Sequence, residues 1–249
     1  MHILVVNGGS SSIKFSIFAF DAQEEAPRSL VDGELSGVGD ASSTLKVRAA
    51  GTDTPEVSTF AVHGEEQAIA KVLDVVSGSA MPKFDAVGYR VVHPGSKLRV
   101  HVQITPEVLA DLKTASEFAP LHDPEAVQMI RAFMSRFPNI PHFACFDTVF
   151  HQTMPAEAST YPLLPEYAER GVRRYGFHGL SCESVVWQLR RRGAVPRRMV
   201  IAHMGSGCSV TALVEGRSVD TTMGLTPTGG VVMGTRSGDL DPVLVLYLL

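Results

Sequence analysis

The chain has 249 residues, 45% hydrophobic and 19% charged, with a formal net charge of −4, which suits one or two globular domains. A mildly acidic balance gives no sequence-wide reason to expect nucleic acid or an anionic membrane as partner, and no apolar stretch reaches membrane-spanning length. The N-terminus lacks a secretory pattern, and Cys145, Cys182 and Cys208 are widely spaced without a C-x-x-C pair, which reads as reduced thiols in a cytoplasm.

Taken in chain order, the apolar run Ile3-Leu4-Val5-Val6 leads into Asn7-Gly8-Gly9-Ser10-Ser11-Ser12-Ile13-Lys14-Phe15, and Ile13, Phe15 and Ile17 then alternate. This is a strand–turn–strand pattern. Asn7, Ser10, Ser12 and Lys14 bring polar groups to one turn whose glycines admit close approach of an anion, so the turn is a nucleotide-phosphate candidate as well as a plain polar hairpin. It is not a Walker loop, because no Lys-Ser/Thr pair opens a helix after it.

Strands continue over residues 30–37 and 45–49, and Ala68, Ile69, Val72, Leu73 and Val76 recur at helical spacing within 65–76. Loops are expected at 37–44, 51–58 and 90–96. Thr105-Pro106 and Asp123-Pro124 each pair a capping residue with a proline, predicting helices over 106–118 and from 123 to about 136. Residues 140–146 read as a strand ending at Asp147, and Ser181 is expected to cap a helix that ends at Arg192 before Gly193. Strands alternating with helices argue an α/β protein, with a first domain at 1–148 and a second at 149–249.

Residues 199–214 repeat the apolar strand, Gly/Ser turn and apolar strand of the N-terminus. An ungapped overlay sets His203 on Asn7, Gly205 on Gly9 and Ser206 on Ser10, which suggests a duplicated domain with one phosphate-facing turn in each copy. At the other end, Asp241-Pro242 starts a helix that continues as Val243-Leu244-Val245-Leu246-Tyr247-Leu248-Leu249 with no polar face. That pattern leads us to expect a chain cut short, with apolar surface exposed.

Six ordered blocks carry a resemblance. Asn-Gly-Gly-Ser-Ser-Ser-Ile-Lys-Phe at 7–15, Gly-Tyr-Arg-Val-Val-His at 88–93, Ala-Pro-Leu-His-Asp-Pro at 119–124, Phe-Asp-Thr-Val-Phe-His-Gln-Thr-Met-Pro at 146–155, Arg-Tyr-Gly-Phe-His-Gly at 174–179 and Met-Gly-Thr-Arg-Ser-Gly-Asp-Leu-Asp-Pro at 233–242 together resemble the acetate kinases. The resemblance implies an actin-like ATPase fold of two ribonuclease-H-like α/β domains, the second incomplete here. It also implies a homodimer, acetate or another short-chain carboxylate and ATP as substrates, ADP as product, and Mg²⁺ or Mn²⁺ as cofactor.

Residue by residue, the resemblance places catalysis on Asp147, His178 and Arg236, and acyl-substrate binding on Arg90, Val92, Leu121, Phe177 and Pro227. It places ATP phosphates on Ser10, Ser12, Lys14, His203, Met204, Gly205, Ser206 and Gly207, with Asn7 as a metal contact. The residue chemistry agrees. Transfer of a phosphoryl group to a carboxylate asks mainly for positive charge and hydrogen-bond donors in fixed places, and an arginine fork grips carboxylate or phosphoryl oxygens bidentately. Because the nucleophile is already ionised, Asp147 is expected to orient groups or hold Mg²⁺ through water rather than remove a proton. His122 is expected to shape the site or cap the next helix. Three departures stand out: Ser206 where the family usually has Asn, Asp123 where Asn is usual, and Thr228-Gly229 in place of Leu-Glu. A non-catalytic nucleotide-binding or dimerisation fragment and a propionate kinase are the alternatives.

Overall fold

The computed structural model describes every residue of the chain except Ser10, residues 22–25 and residues 116–122. Its backbone divides into two units. The first holds Met1–Val91 with the described residues between His101 and Cys145, and the second holds Val92–Val100 and Phe146–Leu249.

In the first unit β1 (His2–Gly9) and β2 (Ser12–Ala19) pair antiparallel from His2↔Ala19 to Gly9↔Ser12. Alternation puts Leu4, Val6, Ile13, Phe15 and Ile17 on one buried face. β3 (Arg28–Ser36), β4 (Ser43–Ala49) and β5 (Glu56–Phe60) extend the meander. β6 (Ala86–Val91) joins the other side of β1 in parallel, followed by β8 (His142–Phe146) and the short β7 (Val102–Gln103), giving the order β5-β4-β3-β2-β1-β6-β8-β7. Helix α1 (Glu65–Val76) buries Ala68, Ile69, Val72 and Val76, and it packs with α3 (Asp123–Arg136) over β1, β2 and β6. Helix α2 (Pro106–Ala115) lies against α3, and the Thr105 hydroxyl accepts from the Val108 amide at 3.3 Å, so the expected cap forms. Gly33 is required by packing: a side chain there would overlap the buried Phe15 ring.

The second unit repeats the plan in shorter form. β9 (Arg198–Met204), β10 (Cys208–Val214) and β11 (Arg217–Thr221) form an antiparallel sheet in the order β11-β10-β9, matching the β3-β2-β1 meander. Helix α6 (Gly179–Arg191) seals one face through Cys182 and Val186 against Ile201 and Leu213. A 3₁₀ turn (Val149–Thr153) and the short helices α4 (Ala156–Ser159) and α5 (Pro165–Glu169) precede it. Arg174 ties down the chain leaving β11, its Nη1 donating to the carbonyls of Thr221, Thr222 and Met223 at 3.1, 3.0 and 3.4 Å. Helix α7 (Pro242–Leu248) is capped by Asp241, whose Oδ1 accepts from the Val243 amide at 2.9 Å, and its apolar side chains are exposed.

Two of the expectations that shift bear on the site. β6 runs through Val91, so Arg90 is a strand residue rather than the first of a loop. Helix α6 begins two residues before Ser181, with His178 as its N-cap, because the Ser181 hydroxyl is engaged with His203.

Candidate functional site

The second unit gathers donors around the β9–β10 turn. His178 is the N-cap of α6 in the left-handed region, φ 61° and ψ 22°. A non-glycine residue held there costs about 1–3 kcal/mol and needs neighbours that over-determine it. They are present on both sides: the Phe177 carbonyl accepts from His151 Nε2 at 3.0 Å, and the Gly179 amide donates to the Asp147 carbonyl at 2.7 Å. A side chain at Gly179 would strike that carbonyl, so glycine follows the histidine for a steric reason. His151, 1% exposed, uses Nε2 as donor to a carbonyl and therefore accepts from the Ser218 hydroxyl at Nδ1, 2.9 Å away. Burial pushes its pKa down, against the opposing pull of the Phe177 carbonyl and the Asp147 charge.

Held this way, the His178 ring turns Nε2 toward the hairpin. A Cβ placed on Gly207 would sit 3.2 Å from His178 Nε2 and 3.4 Å from Arg236 Nη1, so the two donors converge on space that only a glycine leaves open. A Cβ on Gly205 would lie 3.9 Å from His203 Nε2. The His178 and His203 rings stack at 4.0 Å with 22° between planes. Arg236 Nη1 is steadied by the Pro227 carbonyl at 3.0 Å and approaches Met233 Sδ at 3.9 Å. Three cationic or N–H donors around a glycine turn make an anion cradle.

Asp147, 2% exposed, closes β8 on its way to the 3₁₀ turn. Beside it the Thr148 hydroxyl is buried without a hydrogen-bond partner among the described residues. Such a group calls for a further partner. Phe177 and Tyr175 form an apolar wall with His93, whose ring lies 4.3 Å from Tyr175 and 5.9 Å from Phe177. His93 is fully buried and accepts from the Gly95 amide at 2.9 Å, and desolvation pushes its pKa down to about 4. It is therefore neutral at physiological pH. Val92 and Pro227, both half-buried, belong to this same unit.

The first unit's turn is differently built. Asn7 on β1 faces Lys14 on β2, and Asn7 Oδ1 accepts from Arg90 Nη1 on β6 at 3.2 Å. Lys14 sits opposite Glu34 of β3 and pairs with it at 3.4 Å on an exposed face. Ser12 closes the turn against Gly9.

Of the residues singled out by sequence, His178, Arg236, His203, Gly205, Gly207 and Pro227 come together around one turn, and Arg90 meets Asn7. Ser206 is exposed at the tip of the β9–β10 turn, and Met204, 81% exposed, lies next to it. Ser10, Leu121 and His122 lie outside the described residues, as does the side chain of Asp123. Sequence reading passed over Ser209, Ser218, His151 and His93, and took Ser181 only for a helix cap. Their roles depend on contacts 22 to 67 residues apart or on burial, except that of His93 with Gly95, and no local spacing announces them. Among the described residues no cluster of three or more His, Cys, Asp or Glu side chains is arranged to hold a metal ion, and no helix is long and apolar enough to cross a membrane.

Against known proteins, a family model described as the Acetokinase family matches residues 2–249. Acetate kinase of Bacillus cytotoxicus is 41% identical over 99% of this chain, and acetate kinase 2 of Vibrio cholerae is 41% identical over 100% of it; each match takes in 63% of the relative. A propionate kinase structure from Francisella tularensis superposes with TM-score 0.89 at 35% identity, and the acetate kinase of Porphyromonas gingivalis with 0.84 at 34%. Both superpositions cover 99% of this chain and 63% of the other. The chain thus spans a little under two thirds of the length of the relatives it matches.

Proposed function

The chain belongs to the acetokinase family, and we propose that it serves ATP-dependent phosphorylation of acetate to acetyl phosphate, with ADP as the other product. The observation that carries this reading is the convergence of His178 Nε2 and Arg236 Nη1 on the open face of Gly207. In the transfer, an acetate oxygen attacks the γ-phosphorus in line while the bond to the ADP oxygen breaks. Charge spreads over three equatorial oxygens, and no proton has to leave the nucleophile. His178 and Arg236 donate to those oxygens as the charge develops. His203 and the Gly205–Gly207 turn hold the nucleotide phosphates; Ser206 offers a hydroxyl there. On the first unit, Ser10 and Ser12 are the corresponding contacts, while Lys14 is held by Glu34.

Arg90 binds the acetate carboxylate, its guanidinium steadied by Asn7. Val92, Leu121, Phe177 and Pro227 form the wall against the methyl group. A pocket that discriminates by one methylene gains only about 1–3 kcal/mol, so propionate is a second substrate of the same site.

Magnesium fits the oxygen donors present, since Mg²⁺ ordinarily takes one or two protein oxygens and fills its shell with phosphate and water. Asp147 is the residue that would hold it through water, and the neighbouring Thr148 hydroxyl, unpartnered among the described residues, suits its water shell. Bound there, it neutralises phosphate charge. The same reading includes a homodimer and a cytoplasmic location, the latter supported by three free cysteines.

The alternative reading is a nucleotide-binding module without turnover. Acetyl hydroxamate formation that requires both ATP and acetate, and that is lost in His178→Ala and Arg236→Ala, is the expected result. Nucleotide binding with no acetate-dependent turnover would replace the first reading by the second.

A further inference from the structure

His178 and His203 are cross-linked to the opposite element through matching contacts. His178, at the start of α6, sets Nδ1 against the Ser209 hydroxyl of β10 at 2.9 Å. His203, on β9, sets Nδ1 against the Ser181 hydroxyl of α6 at 3.0 Å. The helix gives a histidine to the hairpin, and the hairpin gives one to the helix.

We infer that Ser209 and Ser181 are positioning residues that hold both imidazoles as Nε2–H tautomers, so that each ring turns its remaining N–H toward the Gly205–Gly207 turn. A serine hydroxyl has one proton to give, and in a neutral imidazole one nitrogen donates while the other accepts. Ser209 is fully buried, so water does not take its proton, and among the described residues its hydroxyl has no hydrogen-bond partner other than His178 Nδ1. Ser181 is half-buried on the first turn of α6. Among the described residues its hydroxyl has no hydrogen-bond partner other than His203 Nδ1. Both hydroxyl protons therefore go to Nδ1, and both Nε2 atoms carry hydrogen.

The opposite tautomer would aim two lone pairs at the turn and repel an anion. What the N–H groups face rests on the proposed function, whereas the tautomers themselves do not.

Long-range ¹H–¹⁵N spectra of the ¹⁵N-labelled chain near pH 8, above the ordinary imidazole range, read the tautomers directly. Both histidines are expected as Nε2–H. Ser209→Ala should convert His178 to a mixture containing Nδ1–H while His203 stays unchanged, and Ser181→Ala should do the reverse. His178 already Nδ1–H in the wild type, or unmoved by Ser209→Ala, overturns the inference.

A kinetic cycle separates positioning from support of the fold. Glutamine in place of His178 carries an N–H at the ε position with no need of Ser209. Ser209→Ala should lower kcat for acetyl phosphate formation about tenfold, less than loss of the whole donor, with KM for ATP nearly constant. It should cost nothing further in the His178→Gln background, and an equal loss in both backgrounds overturns the positioning role. Turnover absent altogether, with the tautomers as expected, would sink the proposed reaction and leave the tautomer assignment standing.

Discussion

The β1–β2 and β9–β10 hairpins share a plan but not a chemistry. In both, an apolar strand runs into a Gly/Ser turn, and the residue two before the aligned glycine, Asn7 or His203, reaches out to a neighbouring element. In the first unit that element is β6, which supplies Arg90, and the nearby Lys14 is spent on Glu34 in a solvent-exposed pair. In the second unit it is the N-terminus of α6, and the hairpin gains His178 and Arg236 as well. The difference teaches where duplication stops being informative. A repeated strand–turn–strand preserves backbone donors, whereas side-chain donors come from whatever packs beside it.

The largest test of that contrast is removal of the donors on the second hairpin. His178→Ala and Arg236→Ala should each lower kcat for acetyl phosphate formation by about 10²–10³, with KM for ATP and acetate changing far less, as for loss of one preorganised donor. A kcat within a few-fold of wild type would leave His178 a structural role only.

The next test concerns the buried neutral imidazoles of the second unit. His93 has a folded pKa of about 4, pushed down by burial from 6.5. The unfolded chain therefore binds a proton that the folded chain refuses. Stability from this group is complete above about pH 6.5 and falls as pH drops toward 4, by at most about 3 kcal/mol. Thermal melts of wild type and His93→Gln across that window should show the steeper acid loss in the wild type. Parallel slopes would mean that His93 titrates freely.

A smaller effect compares the two turns directly. Gly207→Ala places a methyl 3.2 Å from His178 Nε2, while a methyl on Gly9 meets nothing closer than 3.7 Å among the described residues. Gly207→Ala should cost roughly tenfold in kcat/KM for ATP, and Gly9→Ala should be near neutral. Equal losses at both glycines would show that the first turn is as crowded when nucleotide binds. Smallest of all is Lys14→Ala, which removes an exposed ion pair and should lower stability by no more than about 1 kcal/mol by urea titration. A kcat loss matching that of Arg236→Ala would instead put Lys14 on the phosphates and erase the contrast between hairpins.

Much of the fold was legible because its signals are local. Period-2 alternation at Ile13, Phe15 and Ile17 marked β2, helical spacing within 65–76 marked α1 to the residue, and Thr105-Pro106 marked the start of α2. The helix at Ser181 was misjudged by two residues for an equally physical reason. A serine looks like a cap, but His178 in a left-handed conformation takes the capping position once His151 and Asp147 secure its two peptide groups. Sequence likewise pointed to His178, Arg236 and the second glycine turn, because each lies in a block with chemical meaning.

By itself, then, the sequence determined the α/β class, the duplicated hairpin, the family and the donor types available for a phosphate. Tertiary structure alone decided which donors meet. Ser209 lies 31 residues from His178 and Ser218 lies 67 from His151, separations at which no pattern of neighbours survives. Whether Lys14 turns to a phosphate or to Glu34 depends on the register of a third strand. Hydrophobic periodicity specifies which face of a strand is buried, but the partner across a sheet is chosen by the packing of the whole unit.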